Sequence, residues 1–555
     1  MRRTSRRTSS TPSSTPTTWS STASSAVGLI ARWPRESRRA RQSASLGSTS
    51  VAVSKRAALL GALIAIAVAA APAEAAHARR AHSRAARHGP SVSAALLALK
   101  SSGALSTTAY TSDYGAYVSA KRALGRLRGT RRTELGAVLD NVRAIAAAGG
   151  FIPSRLPALF LTLQRNRQWW THEPLIRGGE RVSFPPSKLV WQYYPGQGIE
   201  IQWLGTFGAA NGYYLAGNEN SNLRQLLGEV LALATERAGG LAWEYLFKFD
   251  GGVPPWTSGL SQGTALQVLA RAWSRFKEAP LLSAAQRALS VFTVRPPTGV
   301  RVKTPAGAYY AEYTYAPRDM IINGFIQAVV GLYDYASITR DPAGLALFEA
   351  GDAEARVEVP RYDTGAWSLY DQFSESNLNY HELLTEFLQH LCTRTMKGPP
   401  FTPTPPAPAP ESPPPAGPGG GTSAPPGGAA PASPAANTST SAVAPIAGDA
   451  IYCTTAQRFS ADLHTPPVVA LLSKRLRGGV RAGVRVSLSK VSTVRLTVRQ
   501  GTRVVWRNGA IVERGKPRLL WPTPAKGGTF TATVTATDPA GNFSTASGTI
   551  AVAHR

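Results

Sequence analysis

Apolar residues recur at helical spacing through most of the first half of this chain. Between residues 91 and 150, Leu124, Leu127, Leu135, Val138, Leu139, Val142 and Ile145 fall mostly at three- and four-residue intervals, which predicts helices ending at Gly149-Gly150. Phe151 to Gln197 mixes Trp169-Trp170, Pro185-Pro186 and Tyr193-Tyr194-Pro195 and reads as loops and short elements. From about Gln202 to Leu391 the helical period returns. Leu223, Leu226, Leu227 and Val230 form one stripe, Leu260 to Ala270 a second and Leu281 to Val291 a third. Ile321 to Ile338, Leu345 to Val357 and Leu378 to Leu391 complete the series. Similar helices joined by short turns predict a toroid or bundle. Past Val468 the period drops to two: Val484, Val486 and Leu488, then Val494, Leu496 and Val498, then Phe530, Ala532, Val534 and Ala536. Those are strands, with turns expected at Arg507-Asn508-Gly509 and Pro539-Ala540-Gly541-Asn542, and they predict a β-sandwich over 467–555.

Residues 399–447 are almost all Pro, Ala, Gly, Ser and Thr, too poor in apolar surface to offset the entropy of ordering. They read as an insertion within a domain spanning 190–466. The reason is that Ile451, Tyr452, Ala456, Phe459 and Leu463 make one further helical face beyond them. The chain holds two cysteines, Cys392 and Cys453, one on each side of this segment. In an exported protein such a pair forms a disulfide, here closing the base of the insertion; the other reading is two free thiols.

Composition changes the picture in one respect. The formal charge of +29 is concentrated at the two ends, where residues 1–90 and 466–555 each carry fifteen Lys and Arg against two acids. The middle is close to neutral. No helix-turn-helix, zinc knuckle or aromatic–basic platform accompanies the charge, so nucleic acid is not the expected partner. The basic C-terminal region instead suits a glycan or cell-surface contact, or a solvated accessory role. Residues 55–78, KRAALLGALIAIAVAAAPAEAAHA, have the basic start, short apolar run and small residues of a signal peptide. They imply an extracellular or cell-surface protein, with residues 1–54 as a basic extension or a misplaced start and 91–189 as an N-terminal helical, partly irregular region.

Four segments carry the chemistry. They are Pro255-Trp256-Thr257-Ser258-Gly259-Leu260-Ser261-Gln262-Gly263; Ala311-Glu312-Tyr313 with Ile322-Asn323-Gly324-Phe325; Tyr362-Asp363-Thr364-Gly365 with Trp367-Ser368-Leu369-Tyr370-Asp371; and Tyr380-His381. In this order they resemble the C-terminal domain of the D-glucuronyl C5-epimerase family, and TATDPAGNFSTASGTI resembles the last strands of a bacterial immunoglobulin-like domain. The first resemblance implies a mainly α chain with an (α/α) toroid, followed here by the β-sandwich. It implies C5 epimerisation of uronic-acid residues in an acidic polysaccharide, with no cofactor.

Removing a proton α to a carboxylate builds charge on a group already anionic, so such a site needs acid–base groups on both faces of the sugar and donors for the carboxylate. Carried over by motif, the bracketing pair is Glu312 and Tyr380, with Tyr313 and Tyr370 on the carboxylate, Trp256 stacking on a pyranose face and His381 beside Tyr380. A general base at Glu312 requires a raised pKa, which burial among Tyr309, Tyr310 and Tyr315 would supply. Plainer readings stand beside these. Tyr380 shares a helical face with Leu384, Phe387 and Leu391 as a core residue would, Trp256 is equally a core tryptophan, and His381 either orients Tyr380 or faces solvent. Tyr193, Tyr194 and Tyr213 are stand-ins, without motif support, for tyrosines that animal members draw from an N-terminal part. The basic residues that the family places after Tyr370-Asp371 are absent. No metal-ligand cluster or phosphate loop appears. Two other classes fit the same residues: a polysaccharide lyase, and a glycan-binding protein without catalysis.

Overall fold

The computed structural model describes residues 89–402 and 450–555. The readings of residues 1–54, of the leader at 55–78 and of most of the 399–447 segment lie outside these. Among the described residues no helix is long and apolar enough to cross a membrane.

The N-terminal part packs α1 (Val92–Ser101), α2 (Thr107–Arg126), α3 (Gly129–Ala147) and α4 (Leu156–His172) together. Serines start the first two: Ser91 and Ser106 accept from backbone N–H groups inside the first turn. The fourth helix corrects the expectation of loops after Phe151. Pro157 reads as a breaker, but it sits in the first turn of α4, where a missing N–H costs nothing. A small antiparallel sheet follows, β1 (Arg181–Val182), β2 (Trp191–Tyr194) and β3 (Gly198–Ile201), in that spatial order.

Next come α5 (Trp203–Ala216) and α6 (Asn220–Ala232), the hairpin β4 (Thr235–Arg237) and β5 (Gly240–Ala242), then α7 (Gly259–Phe276) and α8 (Ala279–Ala288). A second hairpin, β6 (Arg301–Lys303) and β7 (Ala308–Tyr310), leads through an extended segment to α9 (Ile322–Thr339), α10 (Pro342–Glu358) and α11 (Leu378–Thr395). The pair α7 and α9 lies at the centre, buried on nearly all sides. Glycines let the two backbones meet: a Cβ on Gly331 would sit 2.1 Å from the Gly263 carbonyl oxygen, and one on Gly263 would sit 2.6 Å from Ala328 Cα. Beyond the undescribed segment, α12 (Ala450–Asp462) packs on α11. The Tyr452 hydroxyl donates to Asp352 at 2.8 Å, and Cys392 and Cys453 are disulfide-bonded. One continuous apolar core runs from Val92 to Phe459.

The strand-rich C-terminal region has its own core. Its strands are β8 (Val469–Leu471), β9 (Arg475–Leu476), β10 (Arg481–Leu488), β11 (Ser492–Gln500), β12 (Arg503–Val512), β13 (Arg518–Pro522), β14 (Gly528–Thr537) and β15 (Phe543–Val552). They form a three-stranded sheet, β13-β10-β8, and a five-stranded sheet, β12-β11-β14-β15-β9, facing each other across the alternating valines. The turn expected at Asn508-Gly509 is instead inside β12, paired with Leu496 and Arg495. The chain reverses at Gly501-Thr502, where Gly501 takes φ +59° between the paired Gln500 and Arg503.

The two parts are pinned by polar contacts. Lys490, buried, pairs with buried Asp538 at 2.8 Å and donates to the carbonyls of Asp462, the last residue of α12, and of Thr465 beyond it. Asn542 donates to the Leu463 carbonyl, and the Arg514 N–H to Glu375.

Candidate functional site

The segment Ala311-Glu312-Tyr313 is held against the start of α7. Gly259 N–H donates to the Ala311 carbonyl at 2.9 Å, and Thr314 and Thr257 exchange backbone and side-chain bonds. Ser258 caps α7, and its hydroxyl donates to Glu312 Oε1 at 3.1 Å. The other oxygen, Oε2, is buried without a hydrogen-bond partner. Gly324, in the first turn of α9, leaves it room: a Cβ there would sit 2.0 Å from Oε2. Burial pushes the Glu312 pKa up to about 8; the Ser258 hydroxyl opposes the rise and Asp319 adds to it.

Tyrosines surround this carboxyl. Tyr313 stacks on Tyr315 with ring centroids 5.2 Å apart and meets Trp256 edge-on. Tyr370 and Tyr380 lie ring to ring at 4.4 Å and share a hydroxyl–hydroxyl hydrogen bond that raises Tyr370 and lowers Tyr380. Their positions follow from local structure. The Tyr370 carbonyl accepts from Ile322 N–H at the start of α9, and Asn377 caps α11 by accepting from Tyr380 N–H. Burial raises the phenols of Tyr245, Tyr313, Tyr370 and Tyr380, and the Glu312 charge adds to the rise in each. Tyr380, the least shifted of the four, reaches about 12. The four therefore stay neutral near pH 7 and keep a hydroxyl proton to donate; the Tyr245 oxygen accepts from Leu204 N–H and the Tyr380 oxygen from Tyr370. Of the three tyrosines expected to bury Glu312, Tyr309 and Tyr315 couple to it, whereas the Tyr310 hydroxyl donates to the Leu347 carbonyl.

A second wall went unread in the sequence. In the β1–β3 sheet Arg181 pairs with Gln192, and Gln192 with Glu200. Those three side chains and Tyr194 thus share one face, while Val182, Trp191, Tyr193, Ile199 and Ile201 fill the other with core. Tyr194 packs on Phe247 at 4.6 Å, accepts from Gln202 and is electrically coupled to Arg181, Tyr245 and Tyr380. Arg181 Nη2 and Gln192 Nε2 are buried without partners. Burial alone holds the Glu200 carboxyl well above its usual range. Of the three stand-in tyrosines, only Tyr194 joins the cluster; the Tyr193 hydroxyl donates to Glu134 on the other face. Trp191-Gln192-Tyr193-Tyr194 and Gly198-Ile199-Glu200-Ile201 do alternate, but over only four residues each.

Two expectations are corrected. Trp256 is 1% exposed, stacked on Tyr245 at 4.3 Å with its indole N–H on the Phe247 carbonyl, so no ring face is open to a sugar. It backs Tyr313 instead. His381 is fully buried, stacked on Trp367 at 3.7 Å. Its Nδ1 accepts from Ser368 N–H, and its Nε2 lies 2.9 Å from the Phe459 carbonyl on α12. Burial lowers its pKa to about 4. Adjacent positions on a helix point about 100° apart, so His381 pins loop and helices while Tyr380 faces the cluster.

Comparison with known proteins agrees with the C-terminal wall. A family model described as the D-glucuronyl C5-epimerase C-terminus matches residues 239–402. A D-glucuronyl C5-epimerase of Caenorhabditis elegans is 30% identical over 131 residues, 21% of this chain and 21% of the worm enzyme. An uncharacterized protein of Methanocaldococcus jannaschii is 26% identical over 151 residues, 26% of this chain and 49% of that protein. The chain therefore spans about a fifth and about half of these relatives' lengths. A crystal structure of an engineered protein, 26% identical over 16% of this chain and 20% of its own, superposes with a TM-score of 0.14 and carries no argument about fold. Glu312, Tyr313, Tyr370 and Tyr380 all fall inside residues 239–402, the segment that is similar to the D-glucuronyl C5-epimerase C-terminus.

Proposed function

We propose that this protein epimerises C5 of uronic-acid residues in a polysaccharide, on an (α/α) toroid carrying an immunoglobulin-like C-terminal domain. The observation that carries the reading is Glu312: a buried carboxyl with one oxygen unpartnered, set among neutral tyrosines within a segment of the epimerase family. A group so costly to bury without partners is retained for a task.

In this reading ionised Glu312 removes the C5 proton from one face, breaking C–H and forming O–H. The electron pair moves into the carboxylate, which Tyr313 and Arg181 hold by hydrogen bonds. Tyr380 delivers its hydroxyl proton to C5 from the other face, and Tyr370, donating to the Tyr380 oxygen, steadies the phenolate left behind. Proton exchange with solvent resets both groups. The Cys392–Cys453 bond supports export to an oxidising compartment.

The test is incubation with glucuronan- and heparosan-type polymers in deuterium oxide. C5 deuterium incorporation at unchanged chain length is expected. An unsaturated, ultraviolet-absorbing product would assign a lyase instead, and no exchange on any uronic-acid polymer would remove catalysis altogether.

A further inference from the structure

Where the chain crosses from the three-stranded to the five-stranded sheet of the C-terminal region, it leaves an open groove of about 480 Å³. Lys474, Arg475, Arg485 and Arg518 line it together with Ser473 and Gly483, and no acidic or aromatic residue does. Among the described residues none of the four cations has a carboxylate partner. Arg485 and Arg518 stand directly opposite each other across β10 and β13. Like charges in that position repel, and they persist where a counter-charge is supplied from outside.

The groove is also built. The strap between β8 and β9 is tied over β10, with Arg485 N–H donating to Ser473 Oγ at 2.8 Å and Leu472 N–H to the Arg485 carbonyl at 2.9 Å. Gly483 forms the floor under the stem of Arg518, since a Cβ there would lie 3.2 Å from Arg518 Cβ and Cδ. Arginines fix carboxylates through paired N–H donors. A groove without aromatic side chains offers no platform for stacking bases.

We propose that this groove is a binding site for a carboxylated polysaccharide strand. It would hold the polymer apart from the Glu312 cluster and raise its local concentration there. The groove stands on its own observations; only the choice of uronate as the acid rests on the proposed reaction.

The experiment uses the full chain carrying Glu312→Gln, so that bound polymer is not converted, and labelled polyglucuronate at about 0.15 M salt. Arg485→Ser with Arg518→Ser is expected to weaken binding by about 10-fold or more, as loss of two charge-assisted contacts implies. Arg495→Ser with Arg499→Ser removes equal charge from the outer face of the other sheet and is expected to change it by less than about 2-fold. Arg485→Lys with Arg518→Lys should retain part of the affinity and guards against misfolding. Equal losses in both serine variants would overturn the proposal, as would equally tight, equally groove-dependent binding of single-stranded DNA. Failure of C5 exchange in the wild-type chain with groove binding intact would sink the reaction and leave the groove standing.

Discussion

The two ends of α9 bury one carboxylate each, and they are opposites. Near the C-terminal end, Asp334 accepts from Arg394 twice (2.5 and 2.7 Å), from Arg271 at 2.8 Å and from Gln267 at 2.9 Å. Burial works to raise its pKa, but these donors hold it below the usual carboxylate range. Near the N-terminal end, Glu312 has one hydroxyl donor, and burial carries it to about 8. The same helix thus anchors a charge that has every partner it needs and one that lacks them. The satisfied carboxylate joins α7, α9 and α11; the other, with a single hydroxyl donor, keeps its proton to a higher pH. Burial alone does not separate these two carboxyls, whereas counting their donors does.

Exchanging the two acids for amides should split activity from stability. Glu312→Gln is expected to cut C5 exchange by at least about 10³-fold, equivalent to about 4 kcal/mol, without loss of thermal stability. Asp334→Asn is expected to cost about 3–4 kcal/mol of stability, because two guanidinium groups lose their counter-charge, while exchange by the folded fraction continues. Chemical denaturation and deuterium incorporation on both variants check this. Loss of exchange in the second with full stability would break the contrast.

Titration sharpens it next. The Glu312 pKa in the folded chain lies above its unfolded value of 4.5. Between about pH 4.5 and 8 the folded state therefore keeps a proton that the unfolded state has lost, and stability falls as pH rises through that window. Glu312→Gln should flatten this slope, by a few kcal/mol in total. The wild-type exchange rate should climb over the same range and level off above about 8 as the base ionises. Asp334 works the other way: its contribution is present above its unfolded value and lost as pH falls through its depressed folded value. A bell of stability against pH unchanged in Glu312→Gln would refute the assignment.

The smallest effect concerns the hairpin wall. Arg181→Gln is expected to raise the KM for polymer about 10-fold with kcat nearly intact and no stability loss, since an incompletely partnered buried cation costs more than it returns. An unchanged KM would take Arg181 out of the site.

How far the sequence disclosed this arrangement varies by element. Long helices and eight- to ten-residue strands repeat their period often enough to be read directly, as in α9 or β14. The hairpins β1 to β7 hold two to four residues per strand, too few for alternation to separate from chance. Glu312, Tyr313, Tyr370 and Tyr380 were legible because each sits in a local motif. Arg181, Gln192 and Glu200 have no motif; cross-strand register unites them, and register is not visible before pairing is known. Trp256 takes the core reading, not the sugar-stacking one, and His381 turns inward, because chain proximity to the cluster does not set the direction of a side chain.

The Lys490 contact has one more implication. Its ammonium lies 5.0 Å from the centre of the Trp367 ring, whose other neighbour is His381, in the helix that bears Tyr380. Cutting the chain after residue 466 would strip the last carbonyl of α12 and that of Thr465 of their donor and uncover Trp367, three residues before Tyr370. The C-terminal region is therefore a keystone rather than a detachable appendage, and a truncated chain without C5 exchange would report lost support, not lost substrate capture.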